Sequence, residues 1–160
     1  MRWFDRWRDW FQGAREPRVL VVCVANVCRS PMAERVLGAP GVNRLIARSA
    51  GVSTSAWPQS IDARARAALL RRGYSAAGRR SRAALAADFD RFELVLAMDQ
   101  EVLGALAAIC PPPQRPKLRL FLDFVPGHEG QDMPDPYWGD AHGFDHVLDL
   151  CEAARAGVSA

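Results

Sequence analysis

The chain has 160 residues and a mass of 17.7 kDa, the size of one compact domain, and its 49% apolar and 24% charged residues exclude a disordered or fibrous chain. A net charge of +3, from 21 basic and 18 acidic residues, is too small and too dispersed to make nucleic acid the expected partner. No apolar run approaches the roughly 18 residues of a membrane span, and the start lacks the apolar core of an export signal, so the expected location is the cytoplasm.

In chain order, the first predicted element is an amphipathic helix over residues 1–17. Trp3, Phe4, Trp7, Trp10 and Phe11 gather on one helical face, and Arg2, Asp5, Arg6, Arg8 and Asp9 take the other. Such an aromatic stripe requires cover, either against its own domain, in a dimer, or at a peripheral membrane interface. Four arginines against three acids in this segment attract anionic lipid only weakly, which ranks packing above the membrane.

Arg18 to Cys23 reads as a buried strand because it is β-branched and continuous rather than alternating. Ser30-Pro31 marks a helix start, so the local reading is strand, tight loop, helix. Leu45 to Ala50, Glu93 to Met98 and Leu118 to Leu122 read as further strands. Ile61 to Arg72, Arg79 to Ala87, Gln100 to Ile109 and Phe144 to Ala156 read as helices, and Pro111-Pro112-Pro113 as a hard stop. This alternation predicts a single α/β domain, a four-stranded parallel sheet with helices on both faces.

In such a sheet, ligands bind beyond the carboxyl ends of the strands, which directs attention to the loop after the first strand, Cys23 to Pro31. It holds neither the glycine pair of a dinucleotide turn nor the Gly-Lys-Ser/Thr of a nucleoside triphosphate loop. It does hold a cysteine at a strand end, an arginine six residues on, and a helix start, an arrangement suited to attack on a phosphate monoester. Successive N–H groups across Val24, Ala25, Asn26, Val27 and Cys28 can form an anion-binding nest to which the helix adds its positive end, and the same field favours a thiolate on Cys23. Arg29 offers a planar fork to two phosphate oxygens, and Ser30 a hydroxyl to the sulfur. A buried strand-end cysteine beside an ordinary arginine is the plainer alternative, and the spacing alone does not exclude it.

Beyond spacing, Cys23 to Pro31 resembles the phosphate-binding signature of the low-molecular-weight protein tyrosine phosphatases, Cys-x-Gly-Asn-x-Cys-Arg-Ser, with Ala25 in place of the usual glycine. That replacement raises the question of whether the backbone there needs a positive φ. Ser49-Ala50-Gly51, Trp57, Asp62-x-Arg64, Ser81-Arg82, Asp88-Phe89, Met98-Asp99 and Asp135-Pro136-Tyr137 follow in the family's order, which marks residues 18–160 as the phosphatase domain.

The resemblance implies hydrolysis of phosphotyrosine through a phosphocysteine. Cys23 would be the nucleophile, Arg29 and the loop N–H groups the phosphoryl ligands, Ser30 the group that tunes the thiolate, and Asp135 the general acid and then base. Trp57 and Tyr137 would wall an aromatic slot. Cys28 would be a redox partner that protects Cys23 as a disulfide, and Asn26 and Ser49 would belong to a polar network that holds the loop, with Arg79 where the family often has histidine. Asp62, Arg64 and Asp99 read as structural, Asp132 and Asp140 as loop residues, and Cys110 and Cys151 as packing residues. No metal or organic cofactor is implied, since His142 and His146 lack a third ligand.

The expected partners are phosphotyrosine proteins. The segment Asp132 to Gly139 looks like bacterial members whose substrates include tyrosine kinases of exopolysaccharide synthesis. Three alternatives remain. An arsenate reductase of the same fold needs two further cysteines close together, whereas Cys110 and Cys151 stand 41 positions apart (151 − 110). An arginine phosphatase tends to have threonine where Val27 stands. A non-catalytic phosphate-binding module has no need of intact Cys23, Arg29 and Asp135.

Overall fold

The structure, a computed structural model, describes residues 16–41 and 45–159. The aromatic helix expected at the start therefore lies outside the described residues, apart from Glu16 and Pro17. The sheet is parallel throughout, with strand order β2-β1-β3-β4: β1 (Arg18–Cys23), β2 (Ile46–Gly51), β3 (Leu94–Ala97) and β4 (Leu118–Leu120).

β1 pairs with β2 from Arg18↔Ile46 to Cys23↔Gly51 and with β3 from Val19↔Leu94 to Val22↔Ala97. A strand flanked on both edges and covered on both faces is apolar wherever it is buried, here from Val19 to Cys23, which is why its sequence does not alternate. Its side chains divide between two cores. Val19, Val21 and Cys23 pack with α1 (Arg29–Leu37), α2 (Ala63–Arg71) and α5 (Ala141–Ser159), whereas Leu20 and Val22 pack with Phe89, Val102 and Leu106. Phe89 belongs to the short α3 (Asp88–Arg91), and Val102 and Leu106 to α4 (Gln100–Ile109).

Aspartates start three of these helices. Asp62 accepts from the N–H groups of Arg64 and Ala65, Asp99 from that of Val102, and Asp140 from that of His142. Along α5, Phe144, Val147, Leu148, Cys151 and Ala154 recur at three- and four-residue steps and are all buried. Cys110 is buried as well.

One expected helix is absent. Residues 79–85 lie along the end of β2 without a helical turn, Ala83 forms a parallel bridge with Gly51, and the chain becomes helical again only at α3. Backbone partners distant in sequence take its hydrogen bonds: Ser81 N to Gln59 O at 2.8 Å, Gly51 N to Arg82 O at 2.9 Å and Ala84 N to Gly51 O at 2.8 Å. These bonds satisfy the backbone outside a helix, so the propensity of the Arg/Ala-rich stretch is overridden. β4 also stops at Leu120, because Phe121–Phe124 turn into a 3-10 helix, and α5 begins three residues earlier than its apolar period indicates. Among the described residues, no helix is long and apolar enough to cross a membrane.

Candidate active site

Cys23 ends β1, and the loop folds back over the sheet's carboxyl edge. Carbonyls of Cys23, Val24, Val27 and Cys28 accept from the N–H groups of Val52, Ser53, Asp62 and Met32 at 2.9–3.1 Å, so these oxygens are turned to the surrounding protein. On the other side of the loop, the N–H of Asn26 donates to Cys23 Sγ at 3.2 Å. Asn26 sits at φ 59° and is the single non-glycine residue with positive φ among the described residues, so Ala25 meets no left-handed demand. Gly51 is required by close approach: a Cβ there would lie 2.6 Å from Val24 O and 3.1 Å from Asn26 Cβ.

The Asn26 amide fixes the direction of a short relay. Its Oδ1 accepts from the Arg82 N–H at 3.0 Å, which turns Nδ2 toward Ser30 Oγ at 2.8 Å. Ser30 Oγ lies 2.9 Å from Cys23 Sγ and 3.3 Å from Ala50 O. Asn26 already donates to that oxygen, so the single hydroxyl proton is directed to either the sulfur or the carbonyl. With a thiolate, which offers no proton of its own, it points to the sulfur.

Arg29 opens α1, and its guanidinium is almost wholly buried. Nη1 donates to Asp99 Oδ2 at 2.7 Å and to Met133 O at 3.2 Å, while Nη2 lies 3.6 Å from Asp135 Oδ2. A buried guanidinium without a counter-charge is costly, and Asp99 supplies one while its other oxygen caps α4. Asp135 is half-exposed and accepts from the Tyr137 N–H at 3.1 Å.

Tyr137 and Trp138 meet edge to face with ring centroids 4.8 Å apart. Arg64 is gripped by Asp62 at 3.1 and 3.2 Å and places its guanidinium 5.3 Å from the Tyr137 ring centre and 4.9 Å from that of Phe144. Asp62 and Arg64 thereby tie the aromatic wall to α2 and α5.

A cavity of about 320 Å³ brings together Cys23 to Val27 except Asn26, with Cys28, Arg29, Gln59, Asp135, Tyr137 and Trp138. Burial foremost, then the negative Asp62, Cys23 and Asp135, push the Cys28 thiol up to about 12, so it stays protonated at neutral pH. Two expected residues stand elsewhere. Trp57 is 82% exposed and does not line this cavity, where Trp138 does. Ser49 does not bond Asn26: its hydroxyl donates to Glu34 Oε2 at 2.6 Å, and Glu34 Oε1 lies 2.8 Å from Arg79 Nε. The polar network expected around the loop is thus two networks, one through Asn26, Ser30 and Arg82, the other through Ser49, Glu34 and Arg79.

Sequence reasoning read Asp99 as structural without finding its arginine partner, and it missed Gln59, Trp138 and the Met133 carbonyl. Asp132 accepts from the Gln100 N–H at 2.9 Å, a helix-start contact away from the cavity. Among the described residues, no group of three His, Cys, Asp or Glu side chains is placed to hold a metal.

A thiol beneath N–H donors, a buried guanidinium fork, a carboxylate at the mouth and two aromatic rings at the rim make a receptacle for an aryl phosphate. The family model described as low molecular weight phosphotyrosine protein phosphatase matches residues 18–159. A low molecular weight protein-tyrosine-phosphatase of Streptomyces coelicolor is 38% identical over 153 residues, covering 89% of this chain and 92% of the relative. The crystal structure of a low molecular weight phosphotyrosine phosphatase from Vibrio cholerae O395 superposes with a TM-score of 0.80 at 32% identity, covering 89% of this chain and 94% of that one. The arginine phosphatase YwlE of Geobacillus stearothermophilus superposes with a TM-score of 0.76 at 28% identity, covering 89% of this chain and 90% of that one. The chain belongs to the low molecular weight phosphotyrosine protein phosphatase family, hydrolases that cleave phosphotyrosine.

Proposed function

We propose that this phosphatase works through Cys23, Arg29, Ser30 and Asp135, and that its substrates are phosphotyrosine proteins. The Cys23 thiolate attacks phosphorus, the P–O bond to the phenol breaks, and Asp135 gives its proton to the leaving oxygen. A phosphocysteine results. Water, deprotonated by the Asp135 carboxylate, then attacks phosphorus, the S–P bond breaks, and Ser30 donates to the departing thiolate. Arg29 and the loop N–H groups hold the phosphoryl oxygens as charge spreads over them.

The observation that carries this reading is the convergence of Cys23 Sγ, the Arg29 fork and the Asp135 carboxylate on one cavity. The Tyr137–Trp138 rim supports a ring-bearing substrate, and the apolar Val27 supports tyrosine over arginine. Rapid quenching with labelled phosphotyrosine peptide should trap one phosphoryl group on Cys23, and none on Cys23→Ser. Faster turnover of phosphoarginine than phosphotyrosine, or no label on Cys23, overturns the assignment.

The same reading covers three finer points. Cys28 protects Cys23 by forming a disulfide under mild peroxide, reversed by thiol reductant; mass spectrometry that finds Cys23 overoxidised and Cys28 free removes that role. The physiological partner is a tyrosine kinase of exopolysaccharide synthesis, in line with the segment from Asp132 to Gly139. The enzyme acts in the cytoplasm, with residues 1–17 as an aromatic helix that packs on the domain or in a dimer before it meets a membrane.

A further inference from the structure

A second cavity, of about 350 Å³, opens between α1, the start of β2 and the turn after α2, away from Cys23 and Asp135. Three guanidiniums line it, those of Arg35, Arg48 and Arg79, against one carboxylate, Glu34, already engaged by Ser49 and Arg79. Arg35 donates to Ala77 O and Arg48 to Ala47 O at 2.8 Å. Both acceptors are neutral, and among the described residues neither arginine has a carboxylate at ion-pair distance, so their charge is not cancelled locally.

The concentration of like charge shows in Arg48. Burial first, then Arg79 and more weakly Arg18 and Arg35, hold its guanidinium below the ordinary arginine value, against the opposite pull of Glu34. An anion entering the cavity would relieve that repulsion. Pro40, Leu45 and Ala47 add apolar surface to its lining, which also includes Tyr74. The volume falls within the range of small-molecule sites, and a fork of N–H donors matches phosphate oxygens better than any other side chain does.

We propose that this cavity is a second anion site, which takes an organic phosphate bearing at least two negative groups on Arg35, Arg48 and Arg79 with its carbon body on Pro40, Leu45 and Ala47. Glu34, Arg35 and Arg79 also line a smaller cleft that reaches Asn26 and Pro31 of the catalytic loop. Occupancy that draws Arg79 away from Glu34 would therefore change the lining of the cleft that Asn26 and Pro31 share.

The site is tested with 3-phosphoglycerate and ADP as probes, and with glycerol and adenosine as uncharged controls, added to ¹⁵N-labelled Cys23→Ser protein. The probes should saturably shift the amides of Gly38, Ala39, Ala47, Tyr74 and Ser75 at submillimolar concentration, and the controls should not. Arg48→Gln and Arg35→Gln, each checked for an unchanged fold by its amide spectrum, should weaken binding at least tenfold. In otherwise native enzyme both should leave p-nitrophenyl phosphate turnover within twofold. Shifts confined to residues 24–30, or equal affinity in Arg48→Gln, mean that the probes bind only at the catalytic loop and overturn the proposal. Turnover is measured separately, so loss of the second site and loss of the phosphatase mechanism are distinguished.

Discussion

In the proposed mechanism, Ser30 and Asp99 divide the work between single side chains. Ser30 receives a donor from Asn26 and turns its one proton to the sulfur, so Ser30→Ala removes a hydrogen bond that matters most when the thiolate departs. Asp99 does not line the cavity, but its carboxylate, 2.7 Å from Arg29 Nη1, is the nearest charge to the Arg29 fork. Asp99→Asn keeps a hydrogen-bond partner and loses that charge. Turnover should fall about tenfold to a hundredfold, with the amide spectrum of the sheet unchanged, because a misaimed fork costs on that scale. Stopped-flow kinetics that return native values would reduce Asp99 to a helix cap.

For Asp135→Ala, kcat should drop about 10²- to 10⁴-fold on phenyl phosphate and far less on p-nitrophenyl phosphate, whose leaving group needs little protonation. Equal losses on the two esters would remove the general-acid role. The Cys28 thiol carries a sign of its own. Its ordinary value of 9.0 is raised to about 12 in the fold, so the folded state favours the neutral form. That stabilisation is fully present below pH 9 and is lost as pH rises toward about 12. Calorimetry should show the melting temperature falling across this alkaline window, and Cys28→Ala should make the fall shallower.

At the scale of elements, the continuous strand β1 was readable because burial on two faces and two edges leaves a mark in composition. α4 and α5 were readable from their apolar period. The stretch from Arg79 to Ala84 was not, because its backbone partners are Gln59, Gly51 and the side chain of Asn26, more than twenty positions away, and a local window sees only good helix formers. The same blindness applies to the site. Cys23, Arg29 and Ser30 stand in one short motif, whereas the second oxygen of Asp99 meets an arginine 70 positions earlier, which no local pattern announces. Gly51 joins the two scales, since it must lack a side chain for β2 to pass beneath Val24 and Asn26. Gly51→Ala should cost about 1–3 kcal/mol of stability and lower turnover as the loop is displaced, both measurable by denaturant titration and initial rates.

Across the whole molecule, the strand order β2-β1-β3-β4 in the sheet places the loop after β1 where connections leave the sheet in opposite directions, and Arg29 reaches from one side of that divide to Asp99 on the other. Deleting residues 1–16 removes none of these groups. Turnover of p-nitrophenyl phosphate should stay within about threefold, and a larger loss would bring the segment into the site. Sedimentation with anionic vesicles, and the oligomeric state before and after deletion, then assign the aromatic stripe to membrane or to protein.

The segment that carries the acid is held unevenly. Met133 is anchored from both sides, its N–H on Met98 O at 2.7 Å and its carbonyl on Arg29, but two residues later Asp135 is half-exposed, its one hydrogen bond is to the backbone of its own segment, and its other oxygen lies 3.6 Å from Arg29 Nη2. On the proposed mechanism, warming would release the proton donor by a small local opening while the nucleophile, at the buried end of the interior strand β1, stays assembled. Below the global transition the enzyme would change its chemistry before it lost its shape. It would still cleave esters that leave unaided while failing on tyrosine, which makes substrate choice itself a thermometer of how that segment is held.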